Sequence, residues 1–254
     1  MCDWNMLSLN CHLFRLGCSK ESFDSVFDST CILLRHGFDV RLEDVDGNSP
    51  LNFISKLLDR KLFREALELS KIILQDPRCD SNSVNTFGRS LLSQSVTHGD
   101  DCVDLTRLLL NNGASVFPFR ATPESNADDV TRERDASAFT WYLRTAMRQQ
   151  DLSASSLTLK LLCDAMAVEP ELMRTHVLST MLHLGQQSSG ANSSRLASLF
   201  IELKSVMAPY WRQPLPLRCL CVNRIRRALG PKHIATRAQQ LNLPSSLIGH
   251  LHLN

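Results

Sequence analysis

The chain has 254 residues, 43% of them hydrophobic, and its 28 basic and 26 acidic side chains leave a formal net charge of only +2. A chain of this size can bury a sizeable core, most simply as one elongated domain followed by a small terminal module. Because the charge is balanced, it indicates neither nucleic acid nor an anionic membrane as a partner. Glycine is sparse, at 10 residues, which disfavours sheet-rich folds and glycine-rich nucleotide-binding loops. The leucine-rich periodic segments indicate an all-α fold.

The nine cysteines are scattered without paired spacing, and their number is odd. This usage is typical of a reducing compartment, so we expect small buried hydrophobes rather than disulfides or a zinc site. The N-terminal residues show no signal-peptide pattern, and no run of about twenty apolar residues occurs. We therefore expect a cytoplasmic protein, with the nucleus as an alternative compartment, and no membrane insertion.

The first predicted elements are helices. Residues 1–21 contain a short apolar segment that stops at Gly17 and predicts a helix. From Ser22, apolar residues recur every three or four positions up to Leu34, and Arg35-His36-Gly37 then supplies cationic residues and a glycine for the C-cap. This pattern predicts a second helix with a defined end.

Two turn–helix units follow. In the run Asp44–Leu51, Gly47 suits a turn that needs positive φ, Ser49 suits an N-cap and Pro50 suits the first helical position. A weaker copy, Thr86–Leu92, repeats the glycine and the serine but lacks the proline. Two apolar-periodic helices follow each opening. Neither hairpin could bury its apolar face alone, so we expect the hairpins to stack.

The two openings resemble the start of an ankyrin repeat, in which Asp-x-x-Gly-x-Thr-Pro-Leu-His begins the first helix of a helix–loop–helix unit. Ser49 stands where threonine is usual, and Asn52 stands where histidine is usual. The resemblance implies an ankyrin-like stack of helix–loop–helix repeats over residues 1–211, divergent overall and clearest at about residues 22–117.

Residues 121–135 contain hardly an apolar side chain and predict an exposed loop. An aromatic helix around Phe139 to Met147 follows. Residues 157–166 predict its partner helix, which is expected to stop near Pro170. The pair has helix–loop–helix proportions without the turn of the earlier units.

A last helix pair, residues 172–184 and 195–207, flanks the small polar linker Gly185–Asn192. The array is expected to end at Ala208-Pro209-Tyr210-Trp211, which follows the second helix of this pair. Tyr210 and Trp211 are expected either at the joint with a terminal module or as ordinary core aromatics.

The C-terminal stretch predicts a short helix with an unusual face. Pro214 and Pro216 suit a helix start, and Gly230-Pro231 is a strong stop signal. Between these signals, apolar residues recur every four positions at Leu217, Cys221, Ile225 and Leu229. Leu220 and Ala228 lie beside them on the helix. The cluster Arg224, Arg226 and Arg227 is interpreted as a solvated flank of this helix. On pattern alone, a terminal core helix packed on its own domain remains an alternative.

The order of these elements resembles a SOCS box. A proline comes first, then Leu-x-x-x-Cys-x-x-x-Ile, then Leu-Gly, and then Leu241-Asn242-Leu243-Pro244. The resemblance implies a small three-helix module over residues 212–254. Asn242 departs from the family's usual proline, and His250 departs from a common aromatic residue. By resemblance, elongin C contacts Leu217, Leu220, Cys221, Ile225 and Leu229. By the same resemblance, a cullin of the cullin-5 type contacts Leu241, Leu243 and Pro244.

Together these features resemble the ankyrin repeat and SOCS box family, which implies a substrate-recognition adaptor of an elongin B/C–cullin–RING E3 ubiquitin ligase. The expected partners are elongin C with elongin B, a cullin with its RING-box protein, and an unidentified protein target held by the array. The alternative is a non-degradative ankyrin scaffold whose terminal helices only cap the stack. The two hypotheses differ in whether the ridge beginning at Leu217 faces outward or is covered by the chain itself.

The sequence gives little indication of catalysis. The histidines are dispersed, and no His-Glu-x-x-His, Gly-x-Ser-x-Gly or phosphate-binding loop occurs. Acidic pairs such as Asp44/Asp46 and Asp128/Asp129 lie in expected turns or loops, where carboxylates are solvated. We therefore expect no enzymatic activity, cofactor or metal ion. An unrecognised all-α enzyme would need a pocket that gathers several of the scattered His and Asp residues.

Overall fold

The computed structural model describes residues 23–117, 136–149, 156–167, 170–187, 193–211, 217–229, 234–249 and 251. The regular secondary structure of these residues is helical, which confirms the all-α prediction. The helices are α1 (Phe23–Arg35), α2 (Pro50–Phe53), α3 (Ser55–Asp59), α4 (Phe63–Ile73), α5 (Leu91–Ser95), α6 (Val103–Asn111), α7 (Ala138–Gln149), α8 (Leu157–Met166), α9 (Pro170–Gln187), α10 (Ser193–Trp211), α11 (Leu217–Leu229), α12 (Ile234–Gln239) and α13 (Ser245–Gly249). The helix predicted in residues 1–21 and the loop predicted at 121–135 lie outside the described residues.

The helices pack in two rows. Helices α3, α5 and α7 contact one another in succession, and α1, α4, α6 and α8 do the same beside them. The α9–α10 hairpin follows, with α9 and α10 both against α8 and α10 also against α7. One buried apolar cluster runs through the rows, from Val26 in α1 to Met207 in α10. Each hairpin thus buries its apolar face against its neighbours, as its amphipathic pattern requires.

The turn before α2 has the predicted geometry. Gly47 has a φ of 71° and donates its N–H to the carbonyl of Asp44 at 2.9 Å. Ser49 caps α2, because its Oγ accepts the N–H of Asn52 at 3.4 Å. A Cβ built on Gly47 would lie 3.2 Å from the backbone nitrogen of Thr86 in the next turn. Glycine is therefore required twice over here, for its conformation and for the close approach.

The turn before α5 compensates for its missing proline. Gly88 has a φ of 70°, which matches Gly47 of the first turn. Ser90 Oγ accepts the N–H of Ser93 at 3.1 Å, and Ser93 Oγ accepts the N–H of Ser90 at 3.0 Å. This reciprocal capping box satisfies two backbone donors at the start of α5.

Hydrogen bonds tie each turn to the next. The N–H of Thr86 donates to the carbonyl of Asp46 at 2.9 Å. Further along, Asn82 Nδ2 donates to the carbonyl of Gly113 at 3.1 Å, and Asn82 Oδ1 accepts the N–H of Ser115 at 2.6 Å. These bonds satisfy backbone groups that are not part of any helix, so they fix the spacing of successive hairpins.

Two helix ends predicted from the sequence are wrong. Helix α9 continues beyond Leu184 through Gly185 to Gln187, because a single glycine costs a helix only about 1 kcal/mol. Helix α10 continues beyond Met207 to Trp211, with Pro209 inside its last turn. A proline so close to the end removes only one of the final backbone hydrogen bonds. The rest of the linker predicted after α9, residues 188–192, lies outside the described residues.

Asp100 caps helix α8 from a distant part of the chain. Its carboxylate accepts the N–H groups of Leu157 at 3.0 Å and Thr158 at 2.8 Å, and the hydroxyl of Ser156 at 2.9 Å. Ser156 Oγ in turn accepts the N–H of Leu159 at 3.3 Å. Burial opposes ionisation of Asp100, but the hydrogen bonds outweigh it and lower the pKa of the carboxyl. The segment before α6 and the start of α8 are thereby locked together.

Replacing Asp100 with alanine should lower the free energy of unfolding by about 1–2 kcal/mol at neutral pH, because α8 loses its cap. The folded pKa lies below the ordinary value of 3.8, so this stabilisation is present above that value and is lost as the pH falls through the folded pKa. Urea denaturation at about pH 7 and about pH 3 would measure the difference between the two proteins. The exposed neighbour Asp101, replaced with alanine, is the control. An equal cost for both replacements would contradict the capping role.

Candidate partner-binding site

An apolar ridge lies on helix α11 and is open to solvent at its first turn. Leu217 is 76% exposed, Leu220 is 46% exposed and Cys221 is also exposed. Ile225 and Leu229, further along the helix, are half-buried. We call Leu217, Leu220, Cys221, Ile225 and Leu229 the terminal ridge. Leu217 is among the most exposed large apolar side chains of the described residues.

The helices after α11 form a small module with it. Helix α12 packs against α11. Ala238 in α12 is fully buried, and Leu251, after α13, is 2% exposed. These two side chains belong to the buried part of the module, whereas Leu217, Leu220 and Cys221 do not.

The residues expected to contact a cullin lie between α12 and α13. Leu241 and Leu243 are half-buried, and Pro244 is exposed. The N–H of Leu243 donates to the carbonyl of Leu241 at 2.7 Å, and the carbonyl of Pro244 accepts the N–H of Leu247 at 2.9 Å. The segment is therefore a tight connection that presents Pro244 to solvent at the start of α13.

Three polar side chains, one of them in α11, are related by hydrogen bonds or by charge. Tyr210 in α10 donates its hydroxyl to Asp164 Oδ1 in α8 at 2.6 Å. Arg226 in α11 is only 8% exposed and donates from Nη1 to the carbonyl of Leu251. We call Asp164, Tyr210 and Arg226 the joint.

Burial governs the ionisation of both charged groups in the joint. It raises the pKa of Asp164, against the hydrogen bond from Tyr210 and the positive charges of Lys160 and Arg226. Burial likewise lowers the pKa of Arg226, against the negative charge of Asp164. Each charge favours the ionised form of the other, so the two groups are electrostatically coupled.

The sequence interpretation of Arg226 as a solvated flank is wrong. Arg224 of the same cluster is exposed, but Arg226 is buried. The only local signal was its position one turn from Val222 and from Leu229, which are both half-buried. Nothing in the sequence near Arg226 indicates Asp164 as its neighbour. Tyr210 packs against the main core and donates to Asp164 of α8, which agrees with its interpretation as a core aromatic.

Of the acidic pairs considered for catalysis, Asp128/Asp129 lies outside the described residues and Asp44/Asp46 lies at a turn. Asp44 Oδ1 accepts the N–H of Asp46 at 3.0 Å and that of Asn48 at 2.7 Å, so this carboxylate shapes a turn. Burial raises the pKa of Cys102 and of Cys163 to about 12, which keeps both thiols neutral. In the part of the chain that the structure describes, no three His, Cys, Asp or Glu side chains are grouped as a metal site would require.

Comparison of the chain with protein-family models gives no match, and comparison with curated proteins gives none either. Across the described ranges, no helix combines the length and the apolar character needed to cross a membrane. The structure thus defines a class, an all-α stack of helical hairpins that ends in a small helical module with an uncovered apolar ridge.

Proposed function

We propose that the chain is a substrate-recognition adaptor of an elongin B/C–cullin–RING E3 ubiquitin ligase, of the ankyrin repeat and SOCS box type. In this proposal the terminal ridge binds elongin C, which brings elongin B. Leu241, Leu243 and Pro244 approach a cullin of the cullin-5 type with its RING-box protein. The array holds a protein target. The observation that carries the proposal is the exposure of Leu217, Leu220 and Cys221 on one side of α11.

The exposure matters because the opposite side of the same helix is already anchored. The buried Arg226 donates to the carbonyl of Leu251 near the end of the module, so this polar side of the helix is anchored apart from the exposed leucines. Burying one leucine side chain contributes roughly 1.5–3 kcal/mol. A few such anchors on one helix can dominate a modest interface, and an apolar groove on a partner is their usual receptor.

The non-degradative scaffold requires the ridge to be covered by the chain's own hairpins. Ile225 and Leu229 are half-buried, in keeping with that alternative, but Leu217 at 76% exposure is not. The first turn of α11 therefore favours the adaptor.

The geometry of the array supports its ankyrin-like part. The turn with Gly47 at positive φ leads into a helix capped by Ser49, and the turn with Gly88 repeats the arrangement before α5. The backbone bond from Thr86 to Asp46 joins these two turns side by side. Repeats of this kind contact mainly their neighbours and present an extended surface, which suits the capture of a protein target.

An adaptor acts by proximity, since it holds its target near a ubiquitin-charged enzyme recruited elsewhere in the complex. The chain then needs no catalytic residue, metal ion or cofactor of its own, and its place of action is the cytoplasm or the nucleus.

Expression with and without elongins B and C tests the proposal. The chain alone should aggregate, because the terminal ridge is exposed, and it should become soluble as a complex when both elongins are co-expressed. Size-exclusion chromatography with light scattering measures this. A variant that ends at residue 211 is the control, since it lacks the ridge and should gain nothing from the elongins. The proposal would be contradicted if the free chain were monodisperse and did not bind elongins B and C at about 10 μM.

A further inference from the structure

Helix α11 has a buried side opposite its exposed side. Leu217, Leu220, Cys221 and Ala228 are exposed, whereas Arg226 is only 8% exposed. Each residue of an α-helix turns the chain by about 100°, so Leu217 and Arg226 lie on roughly opposite sides of the helix axis. The direction in which the terminal ridge points therefore depends on what holds Arg226.

Arg226 ties α11 to the end of the terminal module. Its Nη1 donates to the carbonyl of Leu251, which follows α13. Leu251 is itself only 2% exposed, so both residues of this hydrogen bond are buried. A guanidinium is always charged and has donors only, so a buried one needs acceptors such as this carbonyl. The bond joins the first helix of the module to the residue after its last helix.

A second arginine ties α11 to the middle helix of the module. Arg237 in α12 donates from Nη1 to the carbonyl of Leu229, the last residue of both α11 and the terminal ridge. The final carbonyls of a helix have no partner within the helix, and a cation beside them also offsets the negative end of the helix dipole. Helix α12 packs against α11, and its Ala238 is fully buried. The end of α11 is therefore capped from α12.

The two arginines hold α11 without using its exposed apolar side chains. One bond starts from the buried side of the helix, and the other ends on its last carbonyl. Leu217, Leu220 and Cys221 are left exposed by both. A helix held in this way presents its apolar anchors in one orientation before a partner binds. The partner then avoids the entropic cost of ordering the helix, which would otherwise weaken binding.

We infer that Arg226 and Arg237 are positioning residues for partner binding, because they assemble α11, α12 and α13 in the free chain and orient the terminal ridge. The identity of the partner as elongin C rests on the proposed function, but the assembly of the module does not. The opposite case is a module that becomes ordered only on its partner, which makes binding weaker for the same contacts.

Amide hydrogen exchange of the full chain without partners tests the assembly. Arg237 is exposed, so its replacement with alanine removes no buried packing. Exchange in α11 should accelerate by about threefold or more, since the end of the helix loses its cationic cap. Arg237→Lys keeps a cationic donor and should restore much of the protection, while exchange in α4 and α6 stays unchanged in both variants. Equal exchange of α11 in Arg237→Ala and the wild type would overturn the inference.

Binding of purified elongins B and C to the same proteins tests the positioning role, with biolayer interferometry as the measurement. Arg237→Ala should weaken the affinity by about threefold or more, because a smaller fraction of the free chains presents the ridge in the competent orientation. Arg237→Lys should approach the wild type, which loss of the arginine's bulk alone would not explain. Arg64→Ala, which removes an equal charge from an exposed position on α4, is the control and should bind as the wild type does.

The two measurements together separate this inference from the proposed function. If the chain binds elongins equally well with and without Arg237, the positioning role is overturned and the adaptor function stands. If the chain does not bind elongins but α11 exchanges faster in Arg237→Ala, the adaptor function is overturned and the assembly of the module by its arginines is supported.

Discussion

Replacing Leu217 and Cys221 together with aspartate should abolish binding of elongins B and C while the helical array stays folded. Both side chains are exposed in the free chain, so their replacement removes no internal packing. Each apolar anchor that enters a partner's groove contributes roughly 1.5–3 kcal/mol for a leucine, and a buried carboxylate without a partner adds a further cost. The affinity should fall at least about a hundredfold, which isothermal titration calorimetry with purified elongins can measure.

The matched control is Leu182→Asp on helix α9, because Leu182 is 68% exposed and lies outside the terminal ridge. It introduces the same charge in place of a comparably exposed leucine, so it should bind elongins as the wild type does. Unchanged helical circular dichroism would show that neither protein is unfolded. Full elongin affinity in the double variant would eliminate the terminal ridge as the binding site.

Local chemistry made much of the array predictable. Gly47 and Ser49 were recognisable because a turn that feeds a helix requires these residue types at these offsets, and the structure has both as expected. Turn and helix-cap preferences depend on adjacent residues, so they predict turns and helix starts, which are set by adjacent residues.

Contacts between distant segments could not be predicted in this way. The cap that Asp100 provides to α8 depends on two parts of the chain that share no sequence pattern. Helix α10 also continues through Pro209, a local breaking signal, and Tyr210 in the same turn packs against the core. The four-residue spacing of the terminal ridge could be predicted from the sequence. Its exposure to solvent could not, because exposure depends on which side chains the rest of the chain covers.

Replacing Arg226 with alanine should loosen helices α11 to α13 from the array without unfolding the array. The variant loses the bond to the carbonyl of Leu251 and leaves Asp164 without its cationic neighbour. A hydrogen bond from a charged donor contributes about 1.5–3 kcal/mol. Amide hydrogen exchange in α11 and α12 should then accelerate by about a hundredfold, while exchange in α4 and α6 stays unchanged.

Arg224→Ala is the control, since Arg224 is exposed on the same helix and its loss should leave exchange unchanged. Asp164→Asn tests whether the ionised carboxylate of Asp164 stabilises or destabilises the folded protein. Because burial raises the pKa of Asp164, the stability contributed by its protonated form is present below 3.8 and is lost as the pH rises through the folded pKa. Asparagine still accepts from Tyr210, so this variant should be no less stable than the wild type near neutral pH.

Combining Arg226→Ala with Asp164→Asn shows whether the cost of Arg226→Ala arises from charge or from lost packing. If the cost of Arg226→Ala arises largely from the unpaired carboxylate, Asp164→Asn should recover about half of it, and the two changes should be clearly non-additive. Additive effects on exchange in α11 would mean that Asp164 and Arg226 act independently. Asp164 would then not set the position of α11, and the bond to Leu251 would act only within the terminal module.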